Sequence, residues 1–426
     1  MSRFLISTMP AAGHVHPAVP IATALVGRGH QVLWHTGQEY ARTVEPTGAR
    51  LVPFARTPDF TAVPPEPDPG THGAAEAVSA LRNLLIARMA GQLADYEHVA
   101  DRYGVDAVLV DLCALGGRAL YERRGIPWAT LGISPLTIMS PDTPSFGTGR
   151  PPPTGPLGRM RVRLYNRLGG LLMRGLTRAY AQERSRLGLS PLRRGTTLFD
   201  HMISPLMHLQ AATPSIEYPR HPWPANVHLV GPLLPEAPAH DLPRWWAELD
   251  GARVVVHVTQ GTVATDPAWL TRPAVAALAD LDGLVVVTTP DPAALGPVPG
   301  NVRVAPFIPH ALLLPKVHAM VTNGGYNGVK TALAHGVPLV IAPWGNDQPD
   351  VAGRVAWAGA AVNLRTRTPA PQAIATAVRT VLTDLSYRAA AARIRAEFAR
   401  YPGGEPAADL LERLARQDRV AGTSPR

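Results

Sequence analysis

The run VTNGGYNGVKTALAHGVPLVIAPWGNDQ, from Val321 to Gln348, decides how the rest of the chain is read. Ala319 to Thr322 is a short apolar run, the end of a buried strand. Asn323, Gly324 and Gly325 make a turn that lets the backbone come close to a ligand. Gly325 to His335 predicts a helix, closed by Gly336 and then Pro338. Leu339 to Ala342 is a second buried strand, and Asn346, Asp347 and Gln348 form a polar cluster past its carboxyl end. A helix N-terminus offers free N–H groups and a positive dipole end, so Asn323 to Asn327 reads as a phosphate site. Ligands of open α/β sheets sit beyond the carboxyl ends of the strands, which puts Asp347 and Gln348 beside that phosphate. Diphosphate next to a ring of hydroxyls is the pattern of a nucleotide sugar.

The chain of 426 residues has room for two domains, and 46% hydrophobic with 17% charged residues is a globular composition. The single cysteine, Cys113, excludes an intramolecular disulfide and suits a reducing cytosol, so the expected location is cytoplasmic. Met1 to Arg3 runs straight into a strand, with no signal-peptide pattern and no apolar run of ~20 residues. The net charge of +9 comes almost entirely from arginine, the lysines being Lys316 and Lys330. The arginines are scattered, apart from Arg159 to Arg174 and Arg193–Arg194, and no recognition motif accompanies them, so nucleic acid is not an expected partner.

Strands are expected at 3–8, 31–36, 49–54, 106–111, 126–132, 206–212 and 227–234, alternating with helical patterns. Pro17 is expected to open the first helix, placing His14 in a loop. That loop carries one glycine, Gly13, where a dinucleotide fold needs three, so hydride transfer is excluded. A proline-rich loop spans 56–71. A long helical pattern follows over 74–103, whose stripe Leu81, Leu84, Leu85, Met89 and Leu93 is either core or the wall of a hydrophobic pocket. Residues 141–158, rich in proline and glycine, read as a functional loop or lid. Residues 159–187 are one basic amphipathic helical segment: a solvated arginine face, or a peripheral contact with an anionic membrane. A proline-rich linker spans 235–243, after which the alternation restarts, with strands at 254–260, 284–289, 302–307, 319–322, 339–342 and 360–364 and a terminal helix from Glu405 to Arg416.

The stretch from Val321 resembles the donor-binding signature of the family 1 glycosyltransferases of the GT-B fold, in which a His/Gly-rich turn is followed by Gly-Val-Pro and then Asp-Gln. The resemblance implies an inverting transfer that needs no metal. It implies phosphate contacts at Asn323, Gly324, Gly325, Asn327 and Gly328 and sugar contacts at Asp347 and Gln348. Gly261 and Thr262 match the phosphate-contacting loop after the first strand of the second half. Phe307, Ile308 and His310 match Trp-Ala-Pro-Gln, in which the aromatic stacks on the base, the next backbone group pairs with it and the last residue lies near the ribose. Thr331 replaces the ribose-binding Glu of plant members, which favours a deoxyribose donor. His14, three residues before Pro17, corresponds to the catalytic base, and Asp111 to its carboxylate partner. Imidazole titrates near working pH and can take a hydroxyl proton, while a carboxylate behind it fixes the tautomer. Each also has a plainer reading, His14 as a loop or phosphate-binding residue and Asp111 as a helix cap.

The fold class expected is α/β: a GT-B pair of tandem Rossmann-like β/α/β domains facing across a cleft. Residues 1–235 would bind acceptor and 236–426 the nucleotide sugar, with the last helix free to pack back on the first half. The expected activity moves a sugar from a UDP- or dTDP-sugar co-substrate to a hydroxyl, or other nucleophile, of a small hydrophobic or lipid acceptor, by a monomer or homodimer with no bound cofactor. A non-catalytic GT-B auxiliary protein and a nucleotide-sugar 2-epimerase are the alternatives.

Overall fold

The computed structural model describes residues 1–60, 62, 74–236, 240–261 and 266–421. Most of the expected loop after Arg56, three residues of the proline-rich linker, Thr262 and the last five residues lie outside the described residues.

Among the described residues thirteen strands form two parallel sheets. The first has seven: β1 (Arg3–Ser7), β2 (Gln31–Thr36), β3 (Arg50–Pro53), β4 (Ala107–Asp111), β5 (Trp128–Gly132), β6 (His208–Gln210) and β7 (Val227–Leu229), in the order β3-β2-β1-β4-β5-β6-β7. The second has six: β8 (Val255–Thr259), β9 (Leu284–Thr288), β10 (Val302–Ala305), β11 (Ala319–Thr322), β12 (Leu339–Ile341) and β13 (Ala361–Asn363), in the order β10-β9-β8-β11-β12-β13. Every expected strand is present. The parallel build follows from unbroken Val/Ile/Leu runs, because such strands are buried on both faces and must be covered by helices on both. Alternation then assigns the layers. Phe4 and Ile6 of β1 join one core with Trp34 and Leu25, while Leu5 joins the opposite core with Leu33, Val108 and Met89. In the second sheet Met320 and Ile341 face one core and Val321 and Val340 the other.

Four helical expectations need correction. His14 lies in a helical turn (Ala12–Val15), not an open loop; a 3-10 turn (His16–Ala18) and the helix Val19–Gly27 follow. Pro17 and Pro20 each sit in a first turn, where a missing N–H costs nothing, so the segment starts in short pieces. The helix expected over 74–103 is divided by a widened turn at Arg82–Ile86. The buried Arg88 guanidinium folds onto the carbonyls of Asn83 and Leu84 there. Leu85, Met89 and Leu93 of its stripe are core, with Leu81 and Leu84 packed partly buried against it. The segment 159–187 is two helices, Gly155–Leu172 and Arg174–Arg186, parted at Met173 after the weak helix formers Gly169 and Gly170. The terminal helix runs on to Ala421.

The two sheets meet along a polar seam. Arg354 Nε donates to Glu217 Oε2 at 3.0 Å, its guanidinium lies 4.4 Å over the Tyr218 ring, and Asp350 stands 3.5 Å from its Nη1. Leu136 N donates to the other Glu217 oxygen at 2.7 Å, and Gly147 N donates to Asp350. The terminal helix crosses back: Leu411 and Leu414 join the core of the first sheet, and Arg28 pairs with Asp409 at 2.7 Å.

Glu217 and Arg354 are almost fully buried, at 1% and 4% side-chain exposure, so removing Arg354 leaves the desolvated Glu217 with only the more distant Arg220, at 3.6 Å, as a cationic partner. Arg354→Ala should lower the free energy of unfolding by about 3–5 kcal/mol. Urea unfolding followed by tryptophan fluorescence measures it; a change below about 1 kcal/mol would mean the pair does not hold the seam.

Candidate functional site

In both sheets the strand order reverses once, between β1 and β4 and between β8 and β11. Adjacent strands there lead their loops apart and leave a crevice at their carboxyl ends. The carboxyl ends of these four strands and the segments that follow carry His14, Asp111, Gly261 and Asn323.

In the first sheet His14 Nδ1 lies 2.9 Å from Asp111 Oδ2. Asp111 closes β4 and is 1% exposed. Its carboxylate also accepts from Met9 N at 2.6 Å and Cys113 N at 2.8 Å. An acceptor so placed requires the proton on Nδ1, which leaves the Nε2 lone pair available as a base. Cys113 is the neighbour the sequence reading passed over. Its sulfur, a His14 nitrogen and an Asp111 oxygen lie within 4.8 Å of one another, close enough to share a metal ion. Burial and the Asp111 charge push the thiol far up, which works against the thiolate a metal would need.

In the second sheet the glycine turn takes the expected shape. Gly324 has φ +93, and a Cβ there would stand 2.8 Å from Ile341, so only glycine fits. Gly325 N lies 3.4 Å from Asn323 Oδ1. The first bond of the helix Tyr326–Ala334 runs from Val329 N to Gly325 O, so the amides of Tyr326, Asn327 and Gly328 precede its hydrogen-bond ladder. Gly261, φ +77, packs against Asn323, where a Cβ would come within 3.0 Å of Nδ2. The two loops therefore touch. Asn327 Nδ2 also reaches Gly13 O at 3.3 Å, across the cleft from the other half of the chain. That contact sets the His14 turn against the amide end of the glycine-turn helix.

The polar cluster after β12 is built tightly. Gln348 Oε1 accepts from Trp344 N at 2.9 Å, which orients its amide. Burial raises the Asp347 carboxyl to about 6, with its own N–H, His14 and Lys330 pulling against the rise. Lys330 is fully buried, 3.4 Å from Ala211 O and 4.5 Å over the Tyr326 ring. Burial lowers it to about 7, so it is only partly charged at neutral pH.

His310 meets Gly328, where a Cβ would lie 3.3 Å from its ring. Behind it stands His257 of β8, absent from the sequence reading because an inward His in a strand looks like any core position. His257 Nδ1 is 3.0 Å from Val286 O, which accepts only, so that nitrogen carries the proton. Its Nε2 then accepts from His310 Nε2 at 3.4 Å, and His310 Nδ1 is left as a bare acceptor. Burial holds both rings neutral, at about 3 and about 4. Phe307 lies outside β10, 57% exposed, with the His240 ring edge-on at 5.5 Å, while the Ile308 side chain belongs to the core. The sequence reading had Phe307 end the strand.

Residues 272–414 match the family described as Erythromycin biosynthesis protein CIII-like, C-terminal domain. The chain is 43% identical to 4'-demethylrebeccamycin synthase of Lentzea aerocolonigenes, over 97% of this chain and 99% of that protein. It is 31% identical to UDP-glycosyltransferase 2 of Phaeomoniella chlamydospora, over 96% and 95%. In fold it is similar to the calicheamicin glycosyltransferase CalG4, with a TM-score of 0.74 at 22% identity over 100% of both chains. It is also similar to the spinosyn rhamnosyltransferase SpnG complexed with thymidine diphosphate, with a TM-score of 0.69 at 24% identity over 97% of this chain and all of that one. Two parallel sheets facing across a cleft, a glycine turn at the second switch point and end-to-end likeness to 4'-demethylrebeccamycin synthase and UDP-glycosyltransferase 2 agree: the chain belongs to the family 1 glycosyltransferases of the GT-B fold, of the natural-product type.

Proposed function

We propose that this enzyme is an inverting transferase that moves a sugar from a UDP- or dTDP-sugar to a hydroxyl of a small hydrophobic acceptor. In this reading residues 1–235 receive the acceptor and residues 236–426 hold the donor. The observation that carries it is the His14–Asp111 pair, 2.9 Å apart, pressed by the Gly13–Asn327 contact against the amide end of the glycine-turn helix.

His14 Nε2 takes the acceptor proton as the oxygen attacks the anomeric carbon. The bond from that carbon to the diphosphate oxygen breaks on the opposite face, and its electron pair leaves with the nucleotide. Asp111 stabilises the imidazolium, and the amides of Tyr326 to Gly328 meet the charge growing on the phosphates. Gly261 and Asn323 line the same turn, Phe307 offers an exposed ring to the base, and Asp347 and Gln348 receive the sugar hydroxyls. Thymidine diphosphate fits better than uridine diphosphate, because the Thr331 hydroxyl donates to Asn327 O at 2.8 Å and no carboxylate stands there for a ribose 2′-hydroxyl. Solved neighbours hold thymidine diphosphate, whereas several relatives are named for UDP.

The direct test is melting temperature with dTDP, UDP, GDP, ADP or NAD. A saturating ligand at ~100 times its Kd adds about 2.7 kcal/mol. A shift with dTDP exceeding that with UDP, and none with the others, is expected; a shift with NAD alone sinks the reading. His14→Ala should keep the dTDP shift while transfer falls roughly 10²–10⁴-fold.

Asp347 predicts a pH dependence. Donor hydroxyls bind its ionised form, and the carboxyl, at about 6, takes up a proton below that pH. The donor KM should therefore rise as pH falls through about 6, and Asp347→Asn should flatten that limb; an unchanged limb in the variant assigns it elsewhere.

The bare Nδ1 of His310 accepts a sugar hydroxyl of the nucleoside, and His257 sets that tautomer. His257→Leu should raise the donor KM roughly 3–10-fold at constant kcat, with Gln restoring it. Equal effects of Leu and Gln would mean His257 only fills space.

A further inference from the structure

We infer that the helix Gly155–Leu172 is a peripheral docking surface for an anionic lipid bilayer. The helix rests on the protein by a narrow face, where Val162 is buried and Asn166 holds Ser145. Its opposite face is apolar and open to solvent. Leu157, Met160, Leu164, Leu168 and Leu171 recur every three or four residues, at 78%, 62%, 56%, 47% and 46% exposure, with no described segment lying over them. Such a stripe on a water-facing helix marks an interaction site, since isolated exposed leucines do not line up.

Charge selects the occupant. The helix carries Arg161, Arg163 and Arg167, together with Arg159, which pairs with Asp142 at 3.4 Å, and no acidic residue. A groove of about 730 Å³ beside it is lined by Arg167, Leu171, Arg174 and Arg178, with Thr196 and Thr197 on its far wall. Apolar residues on one side and arginines beside them match the boundary between acyl chains and anionic headgroups, where each cation adds to binding and its stem lies along the chains. Two copies meeting stripe to stripe would bring these arginines together with no acidic counterpart on the helix, so self-association is disfavoured. Nucleic acid would leave the apolar stripe in water. No described helix is long and apolar enough to cross a membrane, so the contact is one of surface depth.

The test is co-sedimentation of the full chain with vesicles of phosphatidylcholine alone or mixed equally with phosphatidylglycerol, at low and high salt. Binding to the mixed vesicles only, weakened by salt, is expected. Leu164→Ser with Leu168→Ser should cut it roughly tenfold or more. Arg163→Gln with Arg167→Gln should weaken binding and its salt dependence together. These positions are exposed, so circular dichroism and the nucleotide-induced melting shift should match the parent and separate this idea from the donor-site reading. Three results would overturn it: no sedimentation of the parent, unchanged sedimentation of the leucine variant, or a concentration-dependent dimer that the same variant disperses. Binding to soluble poly-glutamate without vesicle binding would instead assign the face to an acidic protein.

Discussion

The candidate site depends on how two sheets are held against each other. Neither half contains the whole site: His14 and Asp111 belong to the first sheet, the glycine turn and Asp347 to the second. Their relative placement is set by the seam of Glu217, Arg354 and Asp350, by the Gly13–Asn327 contact and by the terminal helix crossing back. A buried ion pair contributes little net stability after desolvation. It is, however, directional, and fixes orientation in a way that apolar contact does not. That suits a cleft in which, in the proposed reaction, two substrates must meet within bonding reach.

Each sheet also supplies its crevice for the same topological reason. Where the strand order reverses, loops diverge, and small residues let backbone line the gap. The chain fills the first crevice with an imidazole–carboxylate pair and the second with amide groups. In the proposed reaction one would handle a proton and the other a phosphate. In that reading a helix end would meet the phosphate charge, and the buried lysine nearby, lowered to about 7, adds only part of a charge.

Much of this was legible in the residues. All thirteen strands follow from apolar runs of β-branched and aliphatic residues bounded by Gly, Pro and polar residues. The glycine turn is legible because Gly324 needs a left-handed backbone that few residues tolerate. What failed were helix interruptions: the widened turn at Arg82–Ile86 and the break at Met173. Both lie in helically periodic sequence, and in the first a buried guanidinium claims helix carbonyls. Periodicity records which face is apolar, not whether the ladder is continuous.

The sequence by itself determined the strands, their parallel arrangement and the residue types that line the crevices, since each depends on local patterns of apolarity and backbone freedom. Only the tertiary structure decided which of those residues meet. His257 behind His310, Cys113 beside His14, Lys330 against Ala211 O and Asn327 across from Gly13 are separated along the chain by up to 314 positions. The same holds for Asp347, whose raised pKa is caused by burial, and for the leucine stripe of Gly155–Leu172, whose periodicity was plain while its exposure was not. Burial and proximity are properties of the packed molecule, and a side chain's charge, tautomer and partners follow from them.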